Sequence, residues 1–151
     1  MGFGQKSTDY KDYRNELAPV VCGFRDSVTL NQIQSNLENF DTTLIIANKV
    51  TYYIDLAGCY YEQTIHPIDS SGYHLSALDS MYIWKTIECY NKALFHEPKN
   101  TQAIWNLLFS YSMVGECEKS LYYLNLYKAY EKKKYWDKEQ IGYLIKRCSV
   151  E

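Results

Sequence analysis

Three histidines, five cysteines and one short acidic, hydroxyl-bearing stretch are the residues that could do chemistry, and their spacing decides which chemistry is open to them. His66, His74 and His96 have no histidine four residues away and sit in no H-E-x-x-H pattern, so no helix face offers a metal two imidazoles. Cys22, Cys59, Cys89, Cys117 and Cys148 are odd in number, widely spaced and free of any C-x-x-C pair. That pattern argues against both a disulfide framework and a zinc site. No G-x-S-x-G elbow, P-loop or G-x-G-x-x-G occurs after a strand pattern, which leaves the loop residues Asp69, Ser70 and Ser71 as material for an unsignalled site. The expectation is a protein that is not an enzyme, with no catalytic residue, no metal and no cofactor.

The charge distribution narrows the partners. With 16 basic and 18 acidic side chains the net charge is −2, so the clustered cations that displace counterions from nucleic acid are missing. The single basic run, Lys132 to Lys134, lies beside Glu131, Asp137 and Glu139 and reads as a solvated helix end. No apolar run approaches the ~20 residues that cross a bilayer, and no apolar signal core stands near the start. Four of the cysteines fall in helical patterns, where a free thiol packs as a small hydrophobe in a reducing compartment. A soluble, intracellular, cytoplasmic protein is expected. Tyrosine, at 16 copies, is the unusual entry in the composition, and it suits partly wet helix seams and docking surfaces.

The elements that must position any site follow from periodicity. Residues 1–26 hold Gly2, Gly4, Pro19 and Gly23 without a sustained period and read as a tail or extended segment, sticky only from Leu17 to Phe24. From there a helical domain spans 27–151. Leu30, Ile33, Leu37 and Phe40 share one helix face, and a second helix starts at Asp41 or Thr42 and runs to about Gln63, before His66-Pro67. Asp69-Ser70-Ser71-Gly72 is turn chemistry. Ser76 with Asp79 restarts a helix that Pro98 stops, and Asn100 or Thr101 caps the next through Val114. Gly115 supplies a tight turn, a further helix covers about Glu116 to Lys133, and Asp137 with Gln140 caps the last. In that last helix Ile141, Leu144, Ile145 and Cys148 form the apolar stripe, with Lys146 and Arg147 facing away.

Two incomplete copies of one pattern lie in this domain. The first joins Tyr53-x-x-Leu56-Ala57-x-x-Tyr60 to Thr86-x-x-x-Tyr90-x-x-Ala93-x-x-x-x-Pro98, with an insertion between its two helices. The second runs Ile104-x-x-Leu107-Leu108-x-x-Tyr111-x-x-x-Gly115, then Ser120, Leu124 and Tyr127. Small residues at Ala57, Ala93 and Ser120 allow close helix approach, while Leu56, Tyr60, Leu107 and Tyr111 fill the space between pairs. The pattern resembles the tetratricopeptide repeat family. The resemblance implies an all-α fold of antiparallel helical hairpins, a short array of about six helices with a C-terminal capping helix.

The same resemblance implies a protein-protein interaction module, adaptor-like or chaperone-like, with a concave groove for a peptide or partner helix. Carried onto this chain, the concave face holds Ile54, Gly58 and Tyr61 in the first copy and Trp105, Asn106, Phe109 and Ser112 in the second. Family members that grip acidic chaperone tails use Lys, Arg and Asn at such sites. Here only Asn106 is similar, so an apolar segment or amphipathic helix is the expected ligand. Two other occupants of that surface are open: the chain's own residues 1–26, and a permanent neighbour if the chain is a structural subunit or obligate oligomer.

Overall fold

The computed structural model describes residues 46–64, 68–69, 72–73 and 76–149, and the side chains of 49–64 and 76–149. The expected helix over Leu30 to Phe40 and the segment 1–26 lie outside the described residues. Within them the fold is all-α, with five helices: α1 (Ile46–Glu62), α2 (Ala77–His96), α3 (Thr101–Met113), α4 (Cys117–Tyr130) and α5 (Lys138–Cys148). Between α1 and α2, β1 (Ile68–Asp69) and β2 (Gly72–Tyr73) form a two-residue antiparallel ladder that brackets the expected turn, with Ile68 opposite Tyr73.

Local chemistry sets the helix ends. The Ser76 hydroxyl accepts from the Asp79 amide at 3.1 Å and donates to the Asp79 carboxylate at 2.7 Å, so one side-chain pair caps the first turn of α2. Asn100 accepts from the Ala103 amide at 2.9 Å and Asp137 from the Gln140 amide at 3.0 Å, which start α3 and α5. Gly115 has φ +80, a left-handed conformation that costs glycine little, and the chain reverses there between α3 and α4. Helix α4 stops at Tyr130, sooner than the expected Lys133. The chain leaves the helix at Glu131, whose carbonyl accepts the Trp136 indole N–H at 3.0 Å, and a 3-10 turn over Lys133–Tyr135 follows.

Specific side chains join the helices in pairs. Across α1 and α2, Thr86 Oγ1 donates to the Ala57 carbonyl at 3.4 Å while Tyr53 stacks on His96 near the other end. Across α3 and α4, Ser120 Oγ donates to the Leu108 carbonyl at 2.6 Å while Trp105 lies against Tyr127. A side chain can reach a neighbour's backbone only where small residues let the axes approach, and Ala57, Ala93 and Ser120 are fully buried. Tyr90, Ala93, Leu107 and Tyr111, expected in the core, are all buried. Because Ala93 has no exposed surface, Ala93→Leu is expected to overpack the α2 seam and lower stability by about 1–3 kcal/mol, read as a lower urea midpoint.

The core has two parts. Residues of α1 and α2 form one cluster with Ala103, Leu107 and Tyr111, and a second joins Ile104 and Leu108 to Leu124, Tyr127, Ile141 and Leu144. Helix α3 feeds both, and α5 closes the second by packing on α4 and α3.

The cysteines correct the sequence expectation. Cys117 and Cys148 form a disulfide, with Cα atoms 5.3 Å apart and a sequence separation of 31, and Cys59 is disulfide-bonded as well. Linear spacing hides such a pair, because it is the return of α5 along α4 that brings the end of one helix to the start of the other. Disulfides persist in oxidising environments, which removes the basis for expecting a reducing compartment. Among the described residues Cys89 alone is free. Burial, followed by the neighbouring Glu88 charge, pushes its thiol up to about 12, so it packs as an inert hydrophobe. No described helix is long and apolar enough to cross a membrane.

Candidate functional site

A cavity of about 380 Å³ opens where α1, α3 and α5 converge over the side of α2. Helix α1 contributes Gly58 and Tyr61, and α2 contributes Tyr90. Helix α3 supplies Trp105, Asn106 and Phe109, then Ser110, Ser112 and Met113 one turn on. Helix α5 supplies Gln140, Tyr143 and Arg147. Of the seven residues expected on the concave face, Gly58, Tyr61, Trp105, Asn106, Phe109 and Ser112 line this cavity. Ile54 does not. One turn before Gly58, it packs instead, partly buried, against the cluster formed by α1, α2 and α3.

The aromatic wall follows from the period of α3. Trp105 and Phe109 are four residues apart, so their rings meet on one face, edge to face at 5.0 Å between centroids. Behind them Tyr127 of α4 backs the Trp105 ring at 4.6 Å, which holds the indole half-buried and fixed. Leu107 and Leu108 point into the two core clusters, leaving Trp105 and Phe109 on the remaining side. Helix α3 thus turns apolar side chains to both core clusters and to the cavity, which places it at the centre of the described helices.

The polar groups of the wall are turned largely inward on their own helix. Asn106 Nδ2 donates to the Gln102 carbonyl at 3.0 Å, Ser110 Oγ to the Asn106 carbonyl at 2.9 Å and Ser112 Oγ to the Phe109 carbonyl at 2.8 Å. With those donors engaged, the charged donor among the described lining residues is Arg147. Tyr90 adds a phenol that burial, and then Cys89, pushes up to about 12, so it stays protonated. Among the described residues that line the cavity there is no His, Cys, Asp, Glu or Lys, and its hydroxyl groups belong to Tyr61, Tyr90, Ser110, Ser112 and Tyr143.

Among the lining residues, sequence reasoning missed Tyr90, Ser110 and Met113, and it missed the whole contribution of α5, which is Gln140, Tyr143 and Arg147. The spacing of three and four residues along α5 places these three on one helix face, adjacent to the buried Ile141 and Leu144. The expectation that Arg147 faces away from the packed side is corrected, whereas Lys146 is exposed as expected. Ile145, assigned to the apolar stripe, is also exposed. The 140, 143, 147 spacing was readable in the sequence, but the helix that α5 lies against was not.

No family model, curated protein or solved structure matches this chain.

Proposed function

We propose that this protein is a tetratricopeptide-like binding module that holds a segment of another protein in the cavity between α1, α3 and α5, in an adaptor or chaperone-like role. One observation carries the reading. Six residues chosen for a concave face, from helices more than forty positions apart in sequence, line a single cavity walled by aromatic rings. The contacts of α1 with α2 and of α3 with α4, with Ala57, Ala93 and Ser120 at the seams, support two degenerate helical hairpins followed by α5 as the capping helix. The role is binding without catalysis, and the lining residues offer contact area and hydrogen bonds in keeping with that.

Peptides selected from a displayed library against the wild-type chain test the reading. Trp105→Ala and Phe109→Ala are each expected to weaken those peptides by about 2 kcal/mol, roughly 30-fold, with the helical circular-dichroism signal retained. Peptides whose affinity ignores both substitutions would place binding elsewhere. Light scattering on the purified chain separates the subunit alternative, for which an obligate oligomer is the expected result.

A further inference from the structure

Among the described residues that line the cavity Arg147 carries the one formal charge, and its neighbour Cys148 is bonded to Cys117. Arg147 is half-buried and immediately precedes Cys148, whose bond to Cys117 ties the end of α5 to the start of α4. The described ion pairs are Lys85 and Lys92 with Glu88, and Lys119 with Glu116, and Arg147 takes part in none. A guanidinium does not lose its proton, so this site keeps a positive charge partly out of water, with no carboxylate among the described residues that line it. The protein as a whole is acidic, at −2, which makes the cavity a local exception that an acidic segment would favour over the surrounding surface.

The geometry points to a ligand of mixed chemistry. Resting on the binding reading above, we propose that the cavity takes an extended segment of a partner protein that presents an aromatic or large apolar side chain to Trp105 and Phe109 and an acidic side chain to Arg147. The planar guanidinium matches a carboxylate with two parallel N–H donors, a fit that an ammonium lacks. At about 380 Å³ the cavity lies near the lower end of the roughly 300–1,000 Å³ range of ligand pockets. It therefore receives side chains from a short stretch and not a whole helix. In an extended segment residues i and i+2 share a face, so the recognised unit is an apolar residue, any residue, then Asp or Glu. Gln140, two turns before Arg147 on the same face of α5, is placed to bond the segment's backbone.

The test compares two capped peptides, acetyl-Gly-Phe-Gly-Glu-Gly-amide and its Gln counterpart, titrated calorimetrically to millimolar concentration against the full chain with its disulfides intact. The Glu peptide is expected to bind at least about fivefold tighter in low salt, and the difference should shrink as salt rises. Arg147→Gln should equalise the two peptides, and Arg147→Lys should retain only part of the preference, with melting curves unchanged for both. Equal binding of both peptides to the wild type, still lost in Trp105→Ala, overturns the acidic preference and leaves the groove reading standing. No saturable binding of either peptide also overturns it, and the library-selected peptides then judge the groove reading separately. A Glu preference that survives Arg147→Gln overturns the assignment to this residue.

Discussion

Replacing Cys117 and Cys148 together with serine is expected to destabilise the chain by about 3–4 kcal/mol, from the unfolded-state entropy that a closure over a sequence separation of 31 removes. Urea unfolding of the oxidised wild type and the double variant measures it. The loss should concentrate in α5. That helix buries Ile141 and Leu144 and leaves Tyr143 and Ile145 exposed, so its own apolar contacts with the bundle are few and the covalent tie holds much of its position. Amide exchange in the double variant is therefore expected to show α5 unprotected while α1 to α4 stay protected. Equal urea midpoints for the two proteins would show that the bond contributes nothing to the fold. Because α5 carries Gln140, Tyr143 and Arg147, its release also removes one wall of the cavity.

Leu107→Ala and Leu108→Ala are each expected to cost about 2–5 kcal/mol, although the residues are neighbours. Successive residues on a helix point about 100° apart. Leu107 enters the cluster shared with α1 and α2, and Leu108 the one shared with α4 and α5, and neither has any exposed surface. Each truncation thus opens a void in a different part of the core. Thermal or urea unfolding reads the size of each effect. Amide exchange distinguishes them, with Leu107→Ala loosening α1 and α2 first and Leu108→Ala loosening α4 and α5. A loss below 1 kcal/mol at either position would mean that the corresponding cluster collapses around the missing atoms.

Much of this architecture is written in short-range sequence. Ser76 with Asp79, Asn100, Gly115 and Asp137 mark helix ends by the hydrogen bonds and dihedrals that those side chains allow, and the structure uses each of them. The close seams at Ala57, Ala93 and Ser120 were legible for the same reason, since only small residues at helical spacing permit them. The aromatic pair Trp105 and Phe109 was legible because four residues return a helix to the same face.

What remained to tertiary structure were the relations between distant residues. Helical period gives Arg147 a direction on α5 but not the neighbour it meets, and the docking of α5 against α3 and α4 turns it into the cavity. Ile54 has the spacing of a concave-face residue, yet it packs, partly buried, against the first core cluster. The Cys117–Cys148 bond had no signature in spacing, because a disulfide depends on the distance between two Cα atoms in space, and only the folded path of the chain brings them to 5.3 Å. Local hydrogen bonding and periodicity are properties of adjacent residues and so are carried by sequence. The composition of a cavity is a property of which helices meet, and that is settled only when their apolar faces compete for burial in a common core.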